Sequence, residues 1–268
     1  MEKKLKSWQG WLLFGGTMVV VFVLGMIAAS VNERHAEVTS VMNNKKTEIT
    51  GIEARNDKFE PNYPREYQTW EATADTSFKS LYNGNQAVDV LEARPEMVIL
   101  WAGYAFSKDY STPRGHMYAI EDMRNTLRVG APMTENEGPQ PATCWTCKSP
   151  DVPRMMQAMG VDNFYKGKWA SLGKEIVNPI GCADCHEPEN MNLHISRPAL
   201  IEAFQRQGKD ITKATQQEMR SLVCAQCHVE YYFKGDGKYL TFPWDKGSTV
   251  EDMEAYYDEA GFSDYTHK

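Results

Sequence analysis

The feature that most limits what this chain can become is the placement of its cysteines. All six fall in three Cys-x-x-Cys pairs: Cys144/Cys147, Cys182/Cys185 and Cys224/Cys227. Whatever chemistry closes them, each pair fixes a short turn. In an exported protein, three disulfides or a structural zinc site would use such pairs. The residue after each pair separates the options. His186 and His228 follow the second and third pairs at once, and Cys-x-x-Cys-His is the attachment signature of c-type haem. Two thioether bonds would fix the porphyrin edge to the turn, and the adjacent histidine would reach the iron from one side. With no cysteine outside the pairs and an export signal ahead of them, haem is preferred to disulfide or zinc.

The first pair departs from this pattern, because CWTCK ends in Lys148. A lysine at neutral pH is normally a cation with no lone pair for a metal. It can ligate only as the neutral amine, a form that burial and coordination favour. A histidine on each face of a haem saturates the iron and makes an electron carrier, whereas a substrate site keeps one axial position open. A haem held by one lysine is a candidate for the open position. The plainer alternative is a surface lysine beside a disulfide.

Export is legible at the N-terminus. Lys3, Lys4 and Lys6 precede residues 11–29, in which Thr17 is the only hydroxyl and no side chain is charged. A bilayer needs about 20 apolar residues, and the apolar core of a cleavable signal has roughly 7 to 15. Residues 1–30 therefore read as a membrane anchor or uncleaved signal, with cleavage near Ala28-Ala29-Ser30 as the alternative. The basic flank keeps the N-terminus inside, which puts the rest of the chain at the periplasmic face of the inner membrane. Residues 31–66 are mostly polar and read as a linker or lead-in, with His35 on its surface; residues 67–268 remain for a multihaem domain. The net charge of −7 argues against a nucleic-acid partner, and an anionic substrate would need a local positive pocket. No nucleotide-binding loop or hydrolase elbow is present.

The fold expected is mainly α, with helices and long loops around covalently bound haems and little β structure. Helical texture begins at Trp70 in WEATADTSFKSLYNG. It returns after the apolar MVILWAGYAF in GHMYAIEDMRNTLRVG, where Met117, Ile120, Met123, Arg124 and Leu127 recur at helical spacing and Gly130 is a stop signal. Ser149-Pro150-Asp151 offers an N-cap and a first-turn proline. SRPALIEAFQRQG and ITKATQQEMRSLVCAQCH read as two helices, the second delivering the third cysteine pair at its end. Ser248-Thr249-Val250-Glu251 reads as a capping box opening EDMEAYYDEAG.

CWTCK, then CADCH, then CAQCHVEYYF resembles cytochrome c nitrite reductase, the ammonia-forming pentahaem family. The likeness runs from about Trp70 to the end of the chain. It implies periplasmic six-electron reduction of nitrite at a lysine-ligated haem c, with other haems relaying electrons. Lys148 would then be the proximal ligand, Arg128 in TLRVGAP the active-site arginine and Tyr231 in HVEYYF the active-site tyrosine. Glu230 would bind calcium by its side chain and Tyr231 by its backbone carbonyl. The resemblance also implies a quinol-linked membrane cytochrome as electron donor and a homodimer in the complete family member.

His116 is a candidate distal ligand for a haem held by two histidines, against a structural role; His194 and His267 are weaker candidates. Relative to the family the chain is expected to be C-terminally truncated, with three haem sites of five and part of a calcium shell, and poorly active or inactive alone. The competing reading is a membrane-anchored multihaem electron-transfer cytochrome of the quinol-dehydrogenase kind, in which every haem carries two strong ligands.

Overall fold

The structure is a computed structural model that describes residues 7–43, 45–77, 79, 81, 85–129 and 140–261, the side chains of 41–43 and 128 excepted. Gly130 and His267 lie outside the described residues. The chain divides into two compact units, residues 1–47 and 48–268.

The first unit is one helix, α1 (Ser7–Asn43). No charged side chain interrupts it between Ser7 and Asn32, a run of roughly 39 Å at 1.5 Å per residue. The helix is long and apolar enough to cross a membrane, and its apolar side chains from Trp8 to Val31 lie exposed.

The second unit is helical with long connections, as the sequence leads one to expect. Its helices are α2 (Pro64–Glu71), α3 (Val90–Ala93), α4 (Glu96–Leu100), α5 (Ala119–Asn125), α6 (Asp151–Met159) and α7 (Val161–Lys166). They continue with α8 (Trp169–Leu172), α9 (Cys182–Cys185), α10 (Pro198–Arg206), α11 (Gln216–Ala225) and α12 (Val250–Ala260). Among the described residues the only sheet is a hairpin of β1 (Tyr232–Lys234) and β2 (Tyr239–Thr241), paired Phe233 to Leu240.

Local chemistry explains most boundaries. Pro64 and Pro198 open α2 and α10 where a missing N–H costs nothing. Thr215 and Glu218 form a reciprocal capping box on α11. The box on α12 uses Thr249 and Asp252 rather than Ser248 and Glu251: the threonine hydroxyl accepts from Asp252 N–H, and the aspartate accepts from Thr249. At α6 the helix begins at Asp151, and Ser149 Oγ accepts from its N–H at 3.0 Å. The helix expected from Met117 to Leu127 stops at Asn125, because Thr126 turns extended.

The main core gathers around the first cysteine turn. Trp145 stacks on Trp169 with ring centroids 3.5 Å apart and donates its indole N–H to Trp169 O. Val152, Met155 and Met156 from α6, Phe164 and Tyr165 from α7, and Leu200 from α10 close around that stack. A second cluster joins Ile49, Phe59 and Tyr63 to Ala183 in α9. The expected lead-in, 31–66, thus divides: its first part prolongs α1, and its last part packs on the second cysteine turn.

Candidate haem-binding site

Each Cys-x-x-Cys segment is a tight turn closed by its own backbone. His186 N–H and His228 N–H donate to the carbonyls of Cys182 and Cys224, both at 2.9 Å, while Lys148 N–H donates to Trp145 O at 2.9 Å. The residue after each pair therefore springs from a fixed backbone. None of the six cysteines is joined in a disulfide, so the disulfide reading has no bond to stand on. Among the described residues no three His, Cys, Asp or Glu side chains converge, so a zinc cluster has no ligand set either.

The second turn is held from outside the motif. Asn56 accepts Cys182 N–H at 2.9 Å and donates to Pro179 O, and Trp70 donates to Ile180 O at 2.9 Å. A Cβ on Gly181 would collide with the Asn56 side chain, so this approach needs glycine. His186 Nδ1 lies 2.7 Å from Met191 O. A carbonyl only accepts, so Nδ1 carries the proton and Nε2 keeps its lone pair for a metal. Met191 adopts a left-handed φ of 60° in presenting that carbonyl. Burial, reinforced by Asp184, pushes the Cys182 and Cys185 thiols up to about 11. They remain neutral S–H groups, suited to addition across a vinyl group rather than to holding a metal as thiolates.

The first and third turns meet. A hydrogen bond between the Cys147 and Cys227 thiols lowers the first and raises the second. Both residues, with Lys148, His228 and His116, line one cavity of about 1220 Å3. That is above the roughly 300–1,000 Å3 of an ordinary small-molecule site. His116 follows Gly115, whose φ of 97° suits glycine and whose added Cβ would meet Asn85 Oδ1 at 3.0 Å. Across the cavity the His116 and His228 rings have centroids 6.0 Å apart. Two imidazoles sharing one metal at about 2.0–2.1 Å per bond have centroids about 6 Å apart, so the spacing fits an iron between them. Burial, helped by His228, holds His116 below its ordinary range and hence neutral. These residues fit haem: thiols outside any disulfide, imidazole nitrogens and a space of porphyrin scale.

The sequence-derived residues are not all gathered here. Cys144, Cys224 and the second turn's Cys182, Cys185 and His186 lie outside the cavity lining. Tyr231 is exposed, tilted against Phe233 at 5.8 Å, and Glu230 is exposed beside it. Arg128 sits in the 3-10 turn Leu127–Val129, and its side chain is outside the described residues. His194 Nδ1 is buried without a hydrogen bond and lies 3.7 Å from Glu187 Oε1.

Two charged groups went unread in the sequence. Arg114 lines the cavity, 3.8 Å over the Tyr118 ring, and its guanidinium binds Asp122 at 2.5 and 2.8 Å and Glu121 at 2.8 Å. Arg197, 1% exposed, lies behind the turns and bonds Asp184. The available signal for the second was the polar residue inside the second and third motifs: Asp184 and Gln226.

A mainly α body with three Cys-x-x-Cys turns, two of them followed by histidine and two of them reaching one large cavity, defines a multihaem c-type cytochrome. Residues 55–268 match the family described as Cytochrome c552, and the chain belongs to it. It is 99% identical over 268 residues to the cytochrome c-552 of Parabacteroides distasonis, covering 100% of this chain and 54% of that protein. The Bacteroides thetaiotaomicron protein of the same description is 78% identical, again over 100% of this chain and 54% of its own length. Among solved structures, the cytochrome c nitrite reductase of Desulfovibrio desulfuricans, described with two calcium sites in its catalytic subunit, matches with a TM-score of 0.71. It is 33% identical, over 79% of this chain and 48% of that one. The chain spans about half the length of the curated relatives it matches.

Proposed function

We propose that this chain carries the lysine-ligated haem c at which nitrite is reduced to ammonium, together with two histidine-ligated haems that relay electrons. The observation that carries this is the cavity onto which Lys148 opens beside the facing pair His116 and His228. When bound, haem would supply an iron for the redox chemistry and a path for the donor's electrons. Lys148 would hold the iron through its Nζ, with the cavity leaving room for the anion. His186 and His228 would each hold the iron of one haem, and His116, facing His228 at 6.0 Å, would share that second iron, so the haem between them would carry electrons. Arg128 offsets the charge of the arriving anion and donates hydrogen bonds to its oxygens. Tyr231 orients bound nitrogen species and hands on protons. Glu230 and the Tyr231 carbonyl contribute to a calcium shell, which keeps the segment before β1 in place.

On this reading Cys144/Cys147, Cys182/Cys185 and Cys224/Cys227 each anchor one haem. α1 holds the protein at the periplasmic face of the inner membrane, a quinol-linked membrane cytochrome feeds it, and the complete protein is a homodimer. The test is the intact mass of the chain matured in a host that attaches c-type haem to the lysine site, paired with an electron paramagnetic resonance spectrum. Three haem additions and one high-spin signal that nitrite perturbs support the reading. Two additions, or three with no high-spin signal, overturn it in favour of an electron carrier.

A further inference from the structure

The backs of the three cysteine turns converge on one buried cation. Arg197, the residue before α10, donates Nε–H to Thr146 O at 2.7 Å and Nη2–H to Ser149 O at 2.9 Å. These two carbonyls bracket Lys148, so one side chain fixes the lysine-bearing turn at both ends. The same guanidinium donates to Asp184 Oδ1 in the second turn at 2.5 Å, and to Ser196 Oγ at 2.6 Å. Ser196 Oγ in turn donates to Asp184 O at 2.7 Å. The third turn joins through Gln226, whose Oε1 accepts from Ser196 N–H at 2.7 Å and Arg197 N–H at 3.1 Å. Its amide donates to Asp184 O and Val223 O, both at 2.9 Å. Arg197, Asp184 and Gln226 are all buried.

A buried ion pair is a poor way to gain stability alone, because desolvating two charges offsets most of their attraction. Its position suggests a second effect. Charge in a low-dielectric interior acts strongly on its neighbours, and net charge, hydrogen bonding and burial are the means by which a protein sets a haem's potential. We propose that Arg197 is a positioning residue for electron relay, which with Asp184 locks the three haem-bearing turns into one block and sets the reduction potentials of the haems attached there. This rests on the functional reading above for the presence of haem, and deepens it. Reduction adds an electron, so a nearby positive charge favours the reduced iron and a negative charge opposes it. Removing Arg197 leaves Asp184 uncompensated and makes the haems harder to reduce. Removing the Asp184 charge leaves Arg197 uncompensated and makes them easier to reduce.

The experiment is a spectroelectrochemical titration of the haem-loaded full-length protein and its Arg197→Gln, Arg197→Lys, Asp184→Asn and Arg197→Gln/Asp184→Asn variants, with haem number read from intact mass. The expected result is a downward shift for R197Q, an upward shift for D184N and near cancellation in the double variant. R197K is expected to keep the parent potentials while unfolding at lower denaturant, since it retains the charge and loses the fork. Shifts of one sign, or none, in variants with a full haem complement overturn the proposal, as would an R197K shift as large as that of R197Q. If R197Q loses haem, D184N and R197K decide by the same criteria. The parent's nitrite-perturbed high-spin signal reports separately on the Lys148 site. Its absence would sink the proposed activity and leave the potential shifts readable, because they require haem and not turnover.

Discussion

The two sides of the cysteine turns are built on opposite principles. On the back, Arg197, Asp184, Gln226 and Ser149 are buried, and their hydrogen bonds tie turn to turn. On the front, His116 and His228 stand exposed to a space of about 1220 Å3 and face each other without touching. A buried polar group left without a partner costs roughly 1–3 kcal/mol, so the back has little tolerance for change. The front has aligned lone pairs and room. The difference separates what makes the body rigid from what makes it reactive, and predicts that substitutions on the two sides fail in different ways.

The largest effect is expected on the front. On the proposed reading, Lys148→Met should abolish the nitrite-perturbed high-spin signal and lower nitrite reduction by the complete protein by about 100-fold or more, since even partners behind a metal ligand are worth 10–100-fold. Denaturant unfolding should change far less; a large loss of stability would break the comparison. His116→Ala should open a second high-spin signal, read by electron paramagnetic resonance, because His228 would then be alone on its iron.

Substitutions at the back should do the reverse. Gln226→Leu strands Ser196 and Arg197 N–H groups and should lower unfolding stability by about 2–3 kcal/mol, measured by denaturant titration, with the nitrite signal intact. Gly181→Ala drives a Cβ into an Asn56 side chain already committed to Cys182 N–H and Pro179 O. It should cost about 1–3 kcal/mol, read by the same titration.

The smallest effect concerns acid. Asp151 is buried, which raises its pKa, but N–H groups of Asn178 and Val177 at 2.9 Å outweigh burial and hold it below the ordinary range. Its unfolded carboxyl titrates near about 4. The contribution is therefore complete above that pH and fades as pH falls toward the folded value. Asp151→Asn should flatten the acid limb of a stability profile and leave its neutral region lowered.

Much of this was legible in the residues. The helices around 151–159, 198–206 and 216–225 follow from proline, capping and spacing signals that act within a turn. The three cysteine turns follow from cysteine spacing, and His116, a candidate from its chemistry, lines the cavity opposite His228. What could not be read depends on distant partners. Nothing near Ile49, Phe59 or Tyr63 announces that they pack against Ala183. Arg197 looked like a helix-start residue, because its acceptors Thr146 and Ser149 lie about fifty positions earlier. The capping box on α12 slipped by one residue because Ser248 and Thr249 are chemically alike, and only geometry chooses between them.

The residues between the paired cysteines carry a further consequence. Of these, Asp184 and Gln226 meet Arg197 or Ser196 through their side chains, whereas Thr146 does so through its backbone carbonyl. In the second and third turns these inner residues thus work as an address, telling each turn which neighbour to adjoin. Exchanging Asp184 and Gln226 would leave both cysteine frames grammatical and misdirect the assembly.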